Sequence, residues 1–540
     1  MMRRRIESNR FIGVLGNNGT KIGQKSENSH VVCKLFANFA ANNPKKKRKL
    51  MKKFILLAVT TCGLVACNNA PQTAEEVNDS TTPLHLLKPD YKVPYGELTA
   101  DEVKADLERV FSYIDSERPK GFVDADGKEV PDNKRLYPLE EGITLQRGAF
   151  RIASYEWGIT YQALLAAKDA TGDMRYEEYV FHNLTLLTTA YYLFKERDAS
   201  KSEVADAQME QVIHPRALDD CGTMCTAMMK WMKRYESTGE HKTTVEGDFV
   251  HFDVTEDTLI NNYFRFVEHG QYRLPDGLFA RHRPQHNTVW LDDMYMGIPT
   301  IAYAGIYFND PKFFDEAATM FKNFVKRMWV PEKKIYRHGY VEGLAQQPTY
   351  HWARANGWAL LTTVEILDML PENHPDREFI LNQLREHVAG LCALQSSEGF
   401  WHQLLDRTDS YLETSATAIY CYAIAHAIRK GWLEGITYGG VAQLAWHAIS
   451  TKITEEGKVA GTCVGTGMAF DPAFYYYRPV SAAAAHGYGP VIWAAAEMIN
   501  LLCEWHPRTN DSGLHYYEQE QKNPAPLFYL TEDGQGEAVK

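Results

Sequence analysis

Two contrasting helical segments decide the fold: DPKFFDEAATMFKNFVKR at residues 310–327 and ARANGWALL at residues 353–361. The first mixes charged and apolar residues at helical spacing, which indicates a helix with one solvated face. The second consists of small and aromatic residues with a single charge, as expected of a helix that is enclosed on all sides. The same contrast recurs between residues 376–387 and 482–496. An outer and an inner layer of helices would produce this pattern.

From about residue 100 onward, apolar residues recur at helical spacing in about twelve blocks, separated by short turns rich in Gly, Pro, Asn and Asp. Helical hairpins that cannot bury a face alone must stack or close on themselves. Closure of the pairs into a ring predicts an all-α (α/α)6 toroid, a single large domain over residues 96–505. An open solenoid and an irregular helical enzyme are the alternatives. The predicted helices are centred on residues 101–117, 149–171, 174–195, 217–237, 254–269, 290–307, 311–329, 353–371, 375–394, 411–430, 436–452 and 481–503.

The composition limits the function. The chain has 540 residues, 24% of them charged, and a net charge of -11. A mildly acidic chain has no positive footprint for a nucleic-acid backbone, so nucleic acid is not an expected partner. Aromatic residues reach 12%, including 11 Trp and 30 Tyr. Flat rings suit surfaces that stack on sugars, although protein cores also use them.

Residues 51–67, MKKFILLAVTTCGLVAC, have the features of a secretory signal. Two lysines precede an apolar run that is too short to span a bilayer. The ending LVAC resembles the lipobox of bacterial lipoproteins and predicts lipidation of Cys67, with a plain signal peptide as the alternative. The lipid would anchor the protein to the outer membrane, facing the periplasm, and residues 68–95 would be a polar tether.

Residues 1–50 precede this signal. A secretory signal has to lie at the start of the nascent chain, so we expect translation to begin at Met51 and residues 1–50 to be an upstream non-native segment. The string PKKKRKL at residues 44–50 resembles a nuclear-import signal, but such basic runs are unspecific and conflict with export. Residues 506–540 are expected to be a C-terminal extension of undefined role.

Four stretches place charged and aromatic residues outside the core pattern, each at or near a predicted helix start. They are LDDCG (218–222), VWLDDMYM (289–296), YHWARANGW (350–358) and GFWHQLLD with YLETS (399–406, 411–415). Inner helices of a toroid would aim these starts at one pocket. Capping of a helix is the common role of a single aspartate at its start. Because Asp219 and Asp220, and likewise Asp292 and Asp293, come in tandem, one of each pair can cap while the other faces the pocket.

The third stretch has the residues that a carboxylated sugar needs. Trp352, Arg354 and Trp358 do not share one helical stripe, so packing explains them poorly. A guanidinium pairs with a carboxylate through two hydrogen bonds, and aromatic rings stack on pyranoses. For the loop histidines His338 and His486, plain hydrogen bonding and catalysis are equally open. The chain contains no HExxH, GxSxG, Walker A or GxGxxG motif, so no metal and no cofactor are predicted.

Taken in order, these motifs resemble the unsaturated glucuronyl and rhamnogalacturonyl hydrolases of glycoside hydrolase families 88 and 105. The resemblance rests on LDDCG, WLDDMYMGIP, HWARANGW, FWHQLLD with SYLETSA, and HGYGP, and covers about residues 100–505. It implies the toroid fold and removal of a 4,5-unsaturated uronic acid from the non-reducing end of lyase-generated oligosaccharides. In this chemistry an aspartic acid protonates C4, water adds at C5, and the hemiketal opens and releases the remaining sugar.

The resemblance also implies roles for single residues. The main acid/base of the family matches Asp292 and its second aspartate matches Asp220, although Asp219 stays open for the second role. A closed aromatic pocket would keep Asp292 protonated near neutral pH by disfavouring its charged form. Substrate contacts are implied for Trp157, Asp219, Trp290, Asp293, His338, Trp352, Arg354, Trp358, Trp401 and His402.

The implied partners are an unsaturated oligosaccharide and, only through the lipid anchor, a membrane; the oligomeric state is left undefined. Two other functions stay open from the sequence. Another (α/α)6 glycosidase or a sugar epimerase would act on saturated sugars. A glycan-binding lipoprotein without activity would keep Trp352 and Trp358 but would have no need of Asp292.

Overall fold

The computed structural model describes residues 98–131, 133–136, 138–199, 206–238, 257–510 and 513–519. The chain divides into two units, residues 1–82 and 83–540, and every described residue lies in the second. The predictions for residues 1–50, for the signal that ends at Cys67 and for the tether therefore lie outside the described residues. Within the described ranges, no helix has both the length and the apolar character needed to cross a membrane.

Twelve helices of the described chain carry the fold, and each corresponds to a predicted one. They are α1 Ala100–Ser116, α2 Tyr155–Thr171, α3 Met174–Arg197, α4 Leu218–Thr238, α5 Asp257–Arg265, α6 Asp292–Tyr307, α7 Lys312–Met328, α8 Ala353–Met369, α9 Arg377–Cys392, α10 Thr414–Arg429, α11 Gly435–Ser450 and α12 Tyr488–Glu504. The largest differences from the prediction are two helix starts. Helix α2 begins late because Ser154 caps it, and a short 3-10 turn precedes α12.

The even-numbered helices form a closed inner ring. Each packs against the next, α2 on α4 and so on to α12, and α12 packs back against α2. Gly222 shows how close two inner helices come, because a Cβ at this position would lie 1.6 Å from the Met296 carbonyl oxygen. The odd-numbered helices lie outside, α3 against α2 and in turn to α11 against α10, while α1 packs on α12. The fold is the predicted (α/α)6 toroid, a single domain, and the open solenoid is excluded.

Burial confirms the contrast between the two layers. In α8 every residue from Ala353 to Leu367 is buried. In α7 the buried side chains include Phe313, Ala317 and Phe321, which recur at helical spacing and form one apolar stripe. The solvated face of α7 carries the charges seen in the sequence.

Short antiparallel ladders lie in the connections. The pairs are β1 Phe122–Val123 with β2 Thr144–Leu145, β3 Thr288–Trp290 with β6 Gly339–Val341, β4 Trp329–Val330 with β5 Ile335–Tyr336, β7 Trp401–His402 with β8 Leu412–Glu413, and β9 His506–Asn510 with β10 Gly513–Tyr517. The last hairpin packs on α11, where the buried Tyr516 donates its hydroxyl to Gln443. Packing on the toroid thus continues beyond residue 505. Further short helices are Asn133–Leu136, Ala207–Ile213 and Pro472–Tyr476.

Candidate active site

The predicted site residues cluster where the inner helices begin. Asp220, Asp292 and Arg354 lie in the first turns of α4, α6 and α8. Glu413 caps α10, where its carboxylate accepts the backbone N–H of Ser415 at 3.2 Å. Backbone N–H groups and the helix dipole favour negative charge at such starts. The toroid therefore gathers buried carboxylates at one end of its ring.

Asp292 is the first member of a buried chain of three side chains. Ladder β3–β6 pairs Trp290 with Gly339 and so places the start of α6 beside His338. The Nε2 atom of His338 lies 2.9 Å from Asp292 Oδ2, and its Nδ1 atom lies 2.7 Å from the Tyr475 hydroxyl. This chain can hold and transfer one proton between Asp292 and His338.

The charge state of Asp292 corrects the prediction from the sequence. Burial raises the pKa of its carboxyl, as expected, but His338 and Arg281 outweigh burial and the net pKa lies below the ordinary value. Nearby positive charge and hydrogen bonds to a carboxylate stabilise its charged form. In this state Asp292 is ionised and bound to His338, so aromatic enclosure alone does not keep it protonated.

Asp220 has the opposite balance. Its Oδ1 atom accepts the backbone N–H of Tyr155 at 2.9 Å, and Arg151 is 3.9 Å away. Burial raises the pKa of Asp220 to about 6, with Arg151 opposing and Glu156 adding to the rise. Asp220 is therefore one of the carboxyls at this end of the ring that burial disposes to hold a proton; burial also raises the pKa of Asp293, to about 6.

Arg281 binds the tandem neighbours of both candidate catalytic aspartates. Its Nε donates to Asp293 Oδ1 at 3.0 Å, and its Nη2 donates to Asp219 Oδ1 at 2.8 Å. Burial works against the charge of Arg281, but the two carboxylates hold its pKa well above the ordinary value. Because Asp293 is completely buried against Arg281, it does not contact substrate as the sequence predicts. Asp219 and Asp293 together tie the start of α4 to the start of α6.

Trp352 and Trp290 lie beside His338. The ring centroid of Trp352 is 4.8 Å from that of His338, and that of Trp290 is 6.1 Å away. Trp290 is also held between the guanidinium groups of Arg281 and Arg283, at 4.4 and 4.8 Å from its ring. These two buried tryptophans are the aromatic neighbours of the Asp292 chain, and their predicted substrate contacts stay predictions.

Three other tryptophans that were predicted to contact substrate, Trp157, Trp358 and Trp401, are packed in the protein interior. Trp157 stacks on Phe150 at 4.5 Å and donates its indole N–H to Tyr179 of the outer helix α3. Trp401 is completely buried and donates to the Leu391 carbonyl at 2.7 Å. Trp358 stacks on Tyr295, between α8 and α6. All three are buried in this structure, as large aromatics that fill the interior are, and their predicted substrate contacts stay predictions.

Arg354 holds the chain that passes over the site. One Nη donates to the carbonyl of Cys463 at 2.6 Å and the other to that of Val464 at 2.8 Å. Among the described residues its Nε has no hydrogen-bond partner. With Ser415 Oγ as a third acceptor, at 3.2 Å, three of the five guanidinium N–H groups are used. One on Nε and one on Nη2 remain, so paired binding of a substrate carboxylate by Arg354 stays a prediction. His402 is partly exposed and directs Nδ1 to the Ser410 carbonyl.

The structure brings to His486 two polar residues that sequence reasoning missed, Tyr155 and Glu156. The Tyr155 hydroxyl contacts His486 Nε2, and Glu156 Oε1 lies 3.5 Å from the same nitrogen. Burial lowers the pKa of His486 well below its ordinary value, with Arg354 adding to the effect, while burial raises the pKa of Glu156. The signal was present: Tyr155 and Glu156 directly follow the helix cap Ser154, and HGYGP precedes the last inner helix. Within the described ranges, no group of three or more His, Cys, Asp or Glu side chains could hold a metal ion.

Parts of this chain are similar in sequence to known proteins. The unsaturated rhamnogalacturonyl hydrolase YesR of Bacillus subtilis (strain 168) is 28% identical over 212 residues, 39% of this chain and 59% of the relative. An unsaturated 3S-rhamnoglycuronyl hydrolase of Alteromonas sp. (strain LOR) is 26% identical over 216 residues, 39% of this chain and 51% of the relative. The match thus spans only about half to three fifths of these relatives' lengths.

A solved structure shares the fold. The crystal structure of a possible member of the GH105 family from Salmonella enterica superposes with a TM-score of 0.56 at 22% identity, covering 78% of this chain and 97% of its own. The closed ring and its carboxylate-bearing helix starts therefore define a six-hairpin glycosidase fold. Within that class, the family model of Glycosyl Hydrolase Family 88 matches residues 138–502. The chain belongs to this family.

Proposed function

We propose that the protein hydrolyses the bond to a 4,5-unsaturated uronic acid at the non-reducing end of lyase-generated oligosaccharides, by hydration of the vinyl ether. The observation that carries the proposal is the buried chain Asp292–His338–Tyr475 at the start of α6. It joins a carboxylate to a histidine that can supply a proton, at the position where the family motif places its acid/base. The names of the two curated relatives support the same substrate class.

The proposed reaction needs one acid/base, which donates a proton and regains one by the end of the cycle. When the substrate carboxylate enters, its negative charge raises the pKa of Asp292 and draws the shared proton from His338 to Asp292. Asp292 donates this proton to C4, and positive charge develops at C5. Water adds at C5 and returns a proton to Asp292, after which the hemiketal opens and releases the remaining sugar. Asp220 orients the sugar hydroxyls, since it is buried and holds a proton below about pH 6.

The test is the ultraviolet absorbance of the conjugated double bond, which hydration removes. On a panel of unsaturated oligosaccharides from different polysaccharide lyases, we expect the wild-type protein to abolish the signal of at least one member. Asp292→Asn should lower kcat by on the order of 10²- to 10⁴-fold, as loss of a general acid/base does. Asp310→Asn, an exposed aspartate before the outer helix α7, is the matched control and should leave kcat unchanged.

Two outcomes would replace this proposal. Release of product from saturated glycosides without absorbance loss on any panel member would indicate another toroid glycosidase. Full activity of Asp292→Asn would show that the acid is a different residue, whereas sugar binding without turnover by either protein would indicate a glycan-binding protein.

We also propose that Cys67 is lipidated and anchors the protein to the outer membrane on its periplasmic side. The proposal is supported by the sequence LVAC after a short apolar run. Metabolic labelling with a fatty-acid analogue should label the wild-type protein and not Cys67→Ser. Labelling of both, or recovery of the wild-type protein without membranes, would contradict the anchor.

A further inference from the structure

The segment of residues 464–478 covers the candidate site from outside the ring. Its inner side is fixed at three points: the Val464 carbonyl accepts from Arg354, Met468 packs against Trp290, and the Tyr475 hydroxyl contacts His338. Each of these points lies on a residue of the candidate site or next to it. We call residues 464–478 the covering segment.

The outer side of the covering segment carries exposed aromatic rings. Phe470 is 43% exposed and Tyr477 is 84% exposed. With Val480, three of the nine exposed large hydrophobic residues of the described chain lie within residues 470–480. One exposed apolar side chain is ordinary, but a concentration of them marks a binding surface.

Both rings are anchored close to the acid/base chain. The Ala469 N–H donates to the Tyr475 hydroxyl at 3.1 Å, the same hydroxyl that contacts His338, and Phe470 is the next residue. The Phe470 carbonyl accepts from the Tyr350 hydroxyl at 3.3 Å, and Tyr350 precedes the HWARANGW motif. Tyr477 directly follows the five-residue helix Pro472–Tyr476 that carries Tyr475. The covering segment thus links the buried proton chain on one side to free aromatic surface on the other.

We propose that Phe470 and Tyr477 form a binding subsite for the sugar that follows the unsaturated residue. The inference rests on the proposed function: if the terminal ring occupies the site beside Asp292, the rest of the oligosaccharide has to leave past the covering segment. Exposed, flat rings bind the C–H faces of pyranoses, and Tyr477 adds a hydroxyl for a sugar oxygen. The subsite selects substrates by their second sugar, a pyranose with an open apolar face.

The test compares substrates of different length. Wild-type protein, Phe470→Ala and Tyr477→Ala are assayed on an unsaturated disaccharide and on the methyl glycoside of the same unsaturated uronate. Loss of one stacking contact should raise KM for the disaccharide about 3- to 10-fold with kcat nearly unchanged, and leave the methyl glycoside unaffected. Tyr477→Phe should keep most of the affinity.

Phe379→Ala is the matched control, because Phe379 is equally exposed, at 43%, but lies on the outer helix α9. This variant should leave KM and kcat unchanged for both substrates. Equal effects of Phe470→Ala on both substrates, or none on either, would overturn the subsite while leaving the proposed activity in place. Thermal unfolding shows whether each variant is folded.

A second measurement does not depend on turnover. The Asp292→Asn protein is titrated calorimetrically with the disaccharide, alone and combined with Tyr477→Ala. A 3- to 10-fold weaker Kd in the double variant supports the subsite, and an unchanged Kd, or no binding to Asp292→Asn itself, overturns it. If the wild-type protein consumes no unsaturated substrate, the proposed function fails on the absorbance assay, independently of this Kd.

Discussion

The two ends of the inner ring handle buried charge differently. Where the helices begin, Asp292 is bound by His338, whereas Asp220 accepts a backbone N–H and has Arg151 3.9 Å away. Where they end, His426 of α10 lies between Asp368 of α8, at 2.7 Å, and Glu497 of α12, at 3.0 Å. Lys430 and Arg429 complete this cluster on the two carboxylates.

The pKa values express the difference. In the cluster at the helix ends, burial lowers the pKa of His426, but both carboxylates overcome it and raise the pKa to about 9. Burial raises the pKa of Asp368, yet His426 and Lys430 bring it to about 2. At Asp220, by contrast, burial prevails and raises the pKa to about 6, although His338 and Arg281 keep the pKa of Asp292 below its ordinary value. The far end neutralises its carboxylates with matched cations. The site end also has the Arg281 ion pairs, but it contains a carboxyl, Asp220, with a pKa nearer neutrality, where acid/base work is efficient.

The largest effect on the charged groups at the site end is expected from Arg281→Met. This change leaves Asp219 and Asp293 facing each other in a buried place without their cation. Loss of one partner of a buried ion pair costs about 3–5 kcal/mol, so the free energy of unfolding in urea should fall by that amount. Activity should fall as well, since the starts of α4 and α6 lose their link.

A rescue variant separates the two effects. Combining Arg281→Met with Asp219→Asn and Asp293→Asn removes the unpaired charges and should restore most of the stability but not the activity. If Arg281→Met alone is as stable as the wild-type protein, Arg281 does not hold the two helix starts together.

At the far end, His426→Gln should change the pH dependence of stability. The pKa of His426 is raised in the folded state to about 9, so its contribution is complete below the unfolded value of about 6.5 and is lost as the pH rises through 9. We expect His426→Gln to be less stable than the wild-type protein by on the order of 2–3 kcal/mol at pH 6, and nearly equal at pH 10. Urea unfolding at both pH values checks this, and kcat should stay unchanged because the cluster is remote from the site. A pH-independent difference would mean that packing, not charge, is the role of His426.

Unlike His426→Gln, Asp220→Asn is expected to stabilise the folded protein. Because the folded protein raises the pKa of Asp220 to about 6, it binds the proton more tightly than the unfolded chain, and stability falls as the pH rises from about 4 to 6. Removing the charge should therefore stabilise the protein by on the order of 2 kcal/mol at pH 7 and have little effect at pH 4. Asp126→Asn, at an exposed aspartate in the turn after β1, is the control and should leave the stability nearly unchanged at both pH values. A destabilised Asp220→Asn at pH 7 would show that its hydrogen bond from Tyr155 outweighs the buried charge.

The sequence predicted the fold well and the site in part, for physical reasons. The helical period and the contrast between α7 and α8 depend on local composition, so all twelve helices and the ring were predictable. The tandem aspartates predicted that one member of each pair can cap a helix while the other faces the pocket. In the structure, Asp219 and Asp293 share the partner Arg281, which comes from the loop before β3 and which only the fold brings to both pairs. Trp157 in the first turn of α2 and Trp401 in β7 are buried, and the sequence could not indicate this, because an aromatic residue within a motif has the same pattern whether it faces a pocket or fills the interior.

The finest test of the site is Tyr475→Phe, which removes only the hydroxyl that contacts His338 Nδ1 at 2.7 Å. That hydroxyl orients the imidazole, so that Nε2 faces Asp292. Its loss costs about one hydrogen bond, about 1 kcal/mol, and should lower kcat about fivefold while KM changes little. The acid limb of the pH–kcat profile should also move, since the hydroxyl orients the imidazole that lowers the pKa of Asp292. A variant with lower stability but an unshifted profile would mean that Tyr475 supports the covering segment only, and that the proton chain ends at His338.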